Sequence, residues 1–265
     1  MEQRFASSDG VEIVYDDLGQ GPTVLLCHGL AAGALQLRGD AEHFAARRFR
    51  VLVPDLRGHG RSGKPVPLDG TTMSLSRMAG DLLALLEHAG TGPVHWVGNS
   101  LGGILALQLL AEGHADRLRT LTTFGTAFRL DLPSGLAPLL PAVQGVLGRR
   151  LSGWLVARAT TGNRAARPVI RQLIEGFDPQ VGLHLIGNLA RYDLLHAGAT
   201  ATLPMLMLRG SADRLVNAAL GPTLAAMRGR PNFRLVELDG GGHCANLDVP
   251  EAWRRELEAF WLSSG

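Results

Sequence analysis

The chain has 265 residues, of which 46% are hydrophobic and 19% charged, with a formal net charge of +2. This composition is typical of a globular protein with a sizeable core and excludes a disordered chain. No basic run extends beyond pairs such as Arg149-Arg150, so the sequence pI of about 8.8 does not indicate nucleic-acid binding. We therefore expect no nucleic-acid partner.

Cysteine usage and the N-terminus bear on the cellular compartment. Cys27 and Cys244 are too few for a disulfide framework and lack the CxxC or CxxH spacing of metal sites. We interpret them as free thiols in a reducing compartment and expect no metal. Residues 1–4 lead directly into an amphipathic strand, and no apolar stretch is long enough to span a bilayer. The sequence thus predicts a cytoplasmic protein without a membrane partner.

The N-terminal half of the chain alternates predicted strands with predicted helices. Apolar runs and turn residues give a hairpin around Phe5 and Val11–Tyr15, strands at Thr23–Cys27, Arg50–Val53 and Leu118–Phe124, and helices at Ala41–Arg47 and Leu75–His88. Ser74 is placed as an N-cap of the second helix, and Gly90 lies just past its end. The continuous apolar strands are typical of a parallel sheet covered by helices on both faces.

The pattern changes between residues 127 and 196, where no strand is predicted. Helices are predicted near Leu139–Leu147, Leu151–Thr160, Pro168–Gly176 and Val181–Leu189. The alternation then resumes with a strand at Met205–Arg209, a helix at Leu215–Met227, a strand at Phe233–Leu238 and a closing helix at Glu251–Leu262. We interpret 1–126 and 197–265 as one α/β core and 127–196 as an inserted helical lid, since this segment is too short to bury a core of its own.

The stretch Val94–Gly103 contains Gly-x-Ser-x-Gly between a predicted strand and a predicted helix. In that context Ser100 falls on a sharp turn that exposes its hydroxyl, and the helix that follows directs its N-terminal N–H groups towards the serine. Gly98 and Gly102 allow the strand and the helix to approach closely. We predict that Ser100 is a nucleophile.

A serine nucleophile needs a general base and an acid that orients the base. Asp213 follows the strand at Met205–Arg209, and His243 follows the next strand after three glycines. Both positions suit a Ser, Asp, His order with each partner on a loop after a strand. Asp213 could instead only cap the following helix, and Asp239 and Asp248 are the alternative acids.

Two backbone N–H groups are the predicted oxyanion donors. They belong to Leu101, directly after the serine, and to Leu30, in the loop after the strand at Thr23–Cys27. Cys27 ends a buried strand, where a thiol behaves as a small hydrophobe, and neither cysteine is assigned a role. His95, His184 and His196 are interpreted as structural or surface residues.

Taken together, these motifs resemble those of the α/β-hydrolase superfamily over nearly the whole chain. The matching segments are His28-Gly29, Asp55-Leu56-Arg57-Gly58-His59-Gly60-Arg61-Ser62, Gly98-Asn99-Ser100-Leu101-Gly102-Gly103, Gly210-Ser211-Ala212-Asp213 and Gly242-His243. The resemblance implies a hydrolase without a cofactor, an acyl-enzyme intermediate, and a pocket between the sheet and a helical lid. A serine at position 100, where some branches carry aspartate, argues against epoxide hydrolases and haloalkane dehalogenases.

The subfamily is less constrained than the superfamily. Asn99 before the serine is similar to carbon–carbon bond hydrolases of ring-cleavage pathways, but Cys244 stands where those enzymes usually carry an aromatic residue. The run His243–Glu251 more closely resembles esterases and enol-lactone hydrolases. A substrate carboxylate could pair with one of the arginines of the lid, although solvated helix faces are the simpler interpretation for Arg129, Arg149, Arg150, Arg158, Arg164, Arg167, Arg171 and Arg191.

Three functions are compatible with these residues. The first is a serine hydrolase that cleaves small carboxylic esters or lactones through Ser100, His243 and Asp213. The second is a carbon–carbon bond hydrolase that uses the same triad. The third is a small-molecule receptor that keeps the fold but turns over slowly or not at all.

Overall fold

The computed structural model describes the backbone of residues 1–131 and 139–264, and the side chains of residues 132–147 and of Leu215 lie outside the description. The strands in the described residues are β1 (Glu2–Ala6), β2 (Glu12–Leu18), β3 (Thr23–Cys27), β4 (Arg50–Pro54), β5 (Val94–Asn99), β6 (Leu118–Phe124), β7 (Arg129–Asp131), β8 (Arg191–Asp193), β9 (Met205–Gly210) and β10 (Phe233–Leu238). Eight of them form a central sheet in the order β1-β2-β4-β3-β5-β6-β9-β10, and β7 pairs with β8 alone.

Eleven helices accompany these strands in the described part of the chain. They are α1 (Ala34–Ala45), α2 (Leu75–His88), α3 (Leu101–Ala111), α4 (Leu139–Thr160), α5 (Arg167–Gly176), α6 (Pro179–Leu189), α7 (Leu195–Thr200), α8 (Arg214–Asn217), α9 (Gly221–Met227), α10 (Ala245–Asp248) and α11 (Pro250–Ser263). The α4 segment bends at Gly148, whose φ of 73° and ψ of 161° are not helical. None of these described helices combines the length and the apolar composition that a bilayer-crossing helix needs.

The central sheet is parallel from β4 to β10, and only the β1–β2 and β2–β4 pairs are antiparallel. All six residues of β5 are buried, because helices cover the sheet on both sides. One face packs against α2 and α3, and the other packs against α1 and α11 through Phe44, Trp253 and Trp261. The mostly parallel α/β fold predicted from the sequence is confirmed.

Two local differences from the sequence-based prediction have identifiable causes. The helix predicted at Ala41–Arg47 begins earlier, at Ala34, because the Asp55 carboxylate accepts a hydrogen bond from the Ala34 N–H at 2.7 Å. The helix predicted at Leu215–Met227 is divided into α8 and α9, and α9 starts afresh at Gly221-Pro222. The short β7–β8 pair and α7 were not predicted.

The segment between β7 and β8 is helical, as the sequence indicates. The predicted helices at Pro168–Gly176 and Val181–Leu189 correspond to α5 and α6, and the two predicted before them correspond to the two halves of α4. Residues 132–138 of the predicted lid lie outside the described residues. The parallel strands end at one edge of the sheet, and the candidate catalytic residues Ser100, Asp213 and His243 follow strands at that edge.

Candidate active site

Ser100 lies on a sharp turn between the end of β5 and the start of α3. Its φ of 48° and ψ of −112° lie in a region that non-glycine residues rarely adopt, as expected of a nucleophile elbow. The Ser100 N–H donates a hydrogen bond to the Phe124 carbonyl oxygen at 2.9 Å, which ties the turn to β6. The strand–turn–helix arrangement predicted from Gly-x-Ser-x-Gly is therefore present.

The elbow requires glycine on both sides of the serine. A Cβ atom added to Gly98 would lie 2.3 Å from the Gly103 nitrogen, and one added to Gly102 would lie 2.3 Å from the Cys27 carbonyl oxygen. Real Cβ atoms do not approach backbone atoms so closely. The start of α3 is therefore in direct contact with the end of β3, which is where the predicted oxyanion loop begins.

Replacing Gly102 with alanine should destabilise the fold. We expect Gly102→Ala to lower the free energy of unfolding by about 2–4 kcal/mol, because β3 and α3 must move apart. Urea unfolding followed by circular dichroism measures the change. Gly80→Ala is the matched control, since an added Cβ there meets no atom within 4 Å and should leave stability equal or slightly higher. Equal stability of Gly102→Ala and the wild type would contradict the close contact.

Asp213 and His243 are brought together by the register of two neighbouring strands. β9 and β10 run in parallel with Gly210 opposite Leu238, so the loops that follow them leave the sheet at the same level. His243 Nδ1 lies 3.0 Å from Asp213 Oδ2, and the Asp213 side chain is only 4% exposed, against 25% for His243. The other carboxylate oxygen of Asp213 accepts a hydrogen bond from the Val216 N–H at 3.2 Å. Asp213 thus both caps α8 and holds the imidazole.

The two alternative acids have other partners. Asp239 accepts a hydrogen bond from the Ser211 hydroxyl at 3.4 Å. Asp248 accepts hydrogen bonds from the Gly242 N–H at 2.7 Å and from Thr161 and Asn163. These contacts tie the glycine loop before His243 to the end of α4, and they favour Asp213 as the residue that orients the imidazole.

The imidazole of His243 lies next to the elbow and close to Gly125, the residue that follows β6. A Cβ atom added to Gly125 would be 3.0 Å from His243 Nδ1 and from the Asn99 amide nitrogen. Ser100 Oγ is not hydrogen-bonded to His243 or to any other residue that the structure describes. In enzymes without substrate this contact is often long and shortens when a substrate binds, so the arrangement remains suited to proton transfer.

The predicted oxyanion loop is held by two buried histidines. His28 accepts a hydrogen bond from the Leu56 N–H at 3.0 Å through Nε2, and His59 accepts one from the Ala31 N–H at 3.2 Å. Burial lowers the pKa of His28 and lowers that of His59 to about 3. Both imidazoles are therefore neutral near pH 7 and can accept these bonds. They fix the backbone on both sides of Leu30.

Asp55 connects the same loop to α1 and to Arg61. Its carboxylate accepts hydrogen bonds from the Ala34 N–H and from Arg61 Nε, both at 2.7 Å. Burial alone would raise the pKa of Asp55, but the adjacent His28 imidazole, these two hydrogen bonds and the Arg61 charge together outweigh burial and lower it. Residues Asp55 and His59 of the run Asp55–Ser62 therefore stabilise the backbone of the loop that contains Leu30. The sequence of this run alone does not reveal that role.

Asn99 forms a second connection behind the serine. Its amide nitrogen donates to the His243 carbonyl oxygen at 3.1 Å, and its amide oxygen accepts from Gln36 Nε2 at 3.0 Å. Gln36 also donates to Asn246 at 3.3 Å, and Asn246 donates to Asp40 at 2.8 Å. This buried network joins the elbow, the first turn of α1 and the segment after His243. Asn99 therefore ties the His243 backbone to the elbow, and we infer that it positions the candidate base.

Removing the Asn99 amide should impair turnover more than substrate binding. We expect Asn99→Ala to lower kcat by about 10- to 100-fold with a nearly constant KM, because a small displacement of the base is costly in rate. Steady-state hydrolysis of an activated ester measures both constants. Asn232→Ala is the matched control: Asn232 likewise donates to two carbonyl oxygens, those of Ala201 and Leu203, but away from this edge. A kcat that falls equally in both variants would contradict the positioning role.

The helices between β7 and β8 lie over this edge of the sheet. The Phe177 ring is 4.8 Å from that of His59, and the Cys244 N–H donates to the Thr160 carbonyl oxygen at 3.4 Å. Cys244 packs with Ala157 and Ile170, and burial raises the pKa of its thiol to about 12. The buried Cys244 thiol next to His243 is therefore neutral near pH 7 and packs as a small hydrophobic side chain.

The described residues contain no group of histidine, cysteine, aspartate and glutamate side chains that could hold a metal ion. A cavity of about 640 Å³ lies beside the oxyanion loop, lined by Gly33, Asp55 and Phe177 among others, with neither Ser100 nor His243 in its wall. This edge presents a serine hydroxyl, an imidazole paired with a carboxylate, and the N–H groups at the start of α3.

Comparison with known proteins identifies the family to which this chain is similar. Residues 22–155 match the α/β hydrolase fold family. A pimeloyl-[acyl-carrier protein] methyl ester esterase of Xanthomonas campestris is 32% identical, covering 92% of this chain and 98% of its own. The proposed carbamate hydrolase RutD of Azorhizobium caulinodans is 27% identical over 97% of both chains. The structure of an esterase from Thermogutta terrifontis superposes with a TM-score of 0.83 at 25% identity, covering 100% of this chain and 99% of that one.

The chain belongs to the α/β-hydrolase fold family. Because the relatives that match it over nearly the full length include esterases and a proposed carbamate hydrolase, it is a hydrolase of the α/β type. The resemblance inferred from the sequence motifs is confirmed.

Proposed function

We propose that this enzyme hydrolyses small carboxylic esters or lactones, with Ser100 as the nucleophile, His243 as the general base and Asp213 as the acid that orients it. The observation that carries the proposal is the 3.0 Å contact between His243 Nδ1 and Asp213 at the edge where the strained Ser100 turn lies. Nδ1 is the nitrogen that must be held if Nε2 is to accept the serine proton. No cofactor enters the proposed reaction.

In the proposed reaction, Ser100 Oγ attacks the carbonyl carbon while His243 Nε2 takes the hydroxyl proton. The developing oxyanion accepts hydrogen bonds from the N–H groups of Leu30 and Leu101, of which the second is among the unpaired donors at the start of α3. His243 then returns the proton to the leaving alcohol, which leaves an acyl-enzyme. Water then attacks the acyl carbon while His243 takes one of its protons. The bond from the acyl carbon to Ser100 Oγ breaks, His243 gives the proton to Oγ, and the carboxylic acid is released.

We also propose that residues 127–196 act as a lid over this reaction. Phe177 of this segment packs on His59, Leu173 lies beside Gly33, and Thr160 contacts the backbone after His243. A substrate entering between these helices and the sheet would be shielded from bulk water, which strengthens the hydrogen bonds of the oxyanion. The methyl ester esterase among the relatives supports an ester as the bond cleaved.

A labelling experiment combined with a substrate panel tests the proposal. A fluorophosphonate probe should add one covalent group at Ser100, located by peptide mass spectrometry, and should not label heat-denatured protein. The panel contains p-nitrophenyl butyrate, a methyl ester, an aliphatic lactone, a phenyl carbamate and a ring-cleavage dienoate. We expect turnover of esters or lactones to exceed that of the others. Labelling at another residue, or turnover confined to the dienoate, would refute the proposal.

A further inference from the structure

The positive charge of this protein is concentrated between residues 127 and 196. This segment contains eight arginines and four carboxylates, whereas the whole chain carries only +2, so the remainder is net negative. All four carboxylates already have partners: Asp131 pairs with Arg191, Asp193 with Arg129, Glu175 with Arg171, and Asp178 with Lys64. Several arginines of the segment are thus left without a carboxylate from their own surroundings.

Four arginines of the segment, three of them without a carboxylate partner among the described residues, line one groove. Arg158, Arg164, Arg167 and Arg171 line a groove of about 520 Å³ between α4 and α5, which we call the arginine groove. Glu175 lines it too, as the partner of Arg171. Its volume is that of an ordinary small-molecule site. Arg158 is held by stacking of its guanidinium on the Trp154 ring, 4.9 Å from the ring centre. The groove is separate from Ser100 and His243, neither of which lines it.

Three of the four guanidinium groups lack a carboxylate partner. Among the residues that the structure describes, Arg158, Arg164 and Arg167 form no ion pair. Residues 132–147, whose side chains lie outside the description, contain no aspartate or glutamate, so they supply no hidden partner. Because these guanidinium groups line one groove, their positive charges add to the electrostatic potential within it. An anion in the groove would be attracted by that potential.

We propose that the arginine groove binds the phosphate group of an anionic ligand. Guanidinium groups present planar pairs of N–H donors that match phosphate oxygens, and a phosphate dianion or diphosphate neutralises several of them at once. A single carboxylate would neutralise only one of the three unpaired cations. The Trp154 ring and the neighbouring Leu151 and Leu155 are exposed by 47%, 46% and 42%, and they offer an apolar surface to the rest of the ligand.

This site goes beyond the proposed hydrolysis and does not depend on it. Ala157 connects the two regions, because it both lines the groove and packs against Cys244, the residue next to His243. A ligand in the groove would therefore be separated from the catalytic loop by a single layer of side chains. Since binding is measured without turnover, the phosphate site can be tested whether or not the esterase proposal holds.

Isothermal titration with pyrophosphate, at constant ionic strength and in a buffer free of phosphate, tests the proposal. We expect saturable binding by the wild-type protein and a Kd at least about tenfold weaker in R164Q/R167Q, since each lost charge-assisted hydrogen bond is costly. R228Q/R255Q is the matched control: both arginines are exposed, carry the same charge and lie outside the groove. Thermal melts of the unliganded variants establish that each is folded.

Two further titrations fix the nature of the ligand. Citrate carries three carboxylates, and if it binds as tightly as pyrophosphate the assignment to phosphate is wrong. Sedimentation with vesicles of phosphatidylglycerol or of phosphatidylcholine separates the two sources of phosphate. If the protein sediments only with phosphatidylglycerol, and W154A and R164Q/R167Q both abolish this, the ligand is a lipid headgroup. If the protein binds pyrophosphate but not the vesicles, the ligand is a free phosphate compound. No binding of either, or binding equal in R164Q/R167Q and R228Q/R255Q, overturns the proposal.

Discussion

Ser100→Ala should abolish ester hydrolysis while leaving the fold intact. We expect kcat to fall by about 10⁵-fold or more, because without the hydroxyl only the oxyanion donors and substrate binding remain to accelerate the reaction. The melting temperature should be nearly unchanged, since Ser100 Oγ makes no hydrogen bond to any residue that the structure describes. Initial rates on p-nitrophenyl butyrate and a thermal melt give the two quantities.

Ser211→Ala is a suitable control for this experiment. Ser211 lies in the loop after β9 at the same edge of the sheet, and its exposed hydroxyl contacts Asp239 and Gly240 rather than the imidazole. Its rate should stay within a few-fold of the wild type. If Ser100→Ala kept a comparable rate, the hydroxyl would not be the nucleophile. If it failed to fold, Ser100 would instead be a structural residue.

The sheet and the positions of the candidate catalytic residues follow from local sequence patterns. Apolar runs such as Thr23–Cys27 and Met205–Arg209 predict strands buried on both faces, because a strand covered by helices has no polar side. Parallel strands end at one edge, so loops that follow them meet there. This reasoning places Ser100, Asp213 and His243 at one edge without any knowledge of their contacts.

Other features depend on contacts between distant residues, which no local pattern encodes. The start of α1 moves to Ala34 because Asp55, in a loop after β4, caps it. The β7–β8 pair consists of three-residue strands with exposed ends, too short to show an alternation. The link from Asn99 to the His243 carbonyl oxygen spans most of the chain, although an asparagine in a wholly buried strand does signal that its amide needs partners.

The arginines of residues 127–196 illustrate the same limit. Their number is visible in the sequence, and each by itself is compatible with a solvated helix face. Only the packing of α4 against α5 brings Arg158 and Arg167 to one groove, while other arginines of the segment pair with nearby carboxylates. The sequence therefore predicts an excess of charge, and the fold decides where that charge is concentrated.

Asp213→Asn should reduce turnover severely with little loss of stability. We expect kcat to fall by about 10⁴-fold, because an amide can hold the imidazole in the wrong tautomer and cannot stabilise the imidazolium formed during catalysis. Stability should be nearly preserved, since asparagine can still accept the hydrogen bond from the Val216 N–H that caps α8. Single-substrate kinetics and urea unfolding of the same preparation separate the two effects.

Asp239→Asn and Asp213→Ala complete this test. Asp239 is bonded to Ser211 and should tolerate the change with a rate close to that of the wild type. Asp213→Ala loses the α8 cap as well as the imidazole partner, so we expect a similar rate defect accompanied by about 1 kcal/mol of destabilisation. A near wild-type rate in Asp213→Asn, together with a large loss in Asp239→Asn, would transfer the role of the acid to Asp239. Because the Asp213 carboxylate serves the helix and the histidine through different oxygens, the two variants measure its structural and catalytic contributions independently.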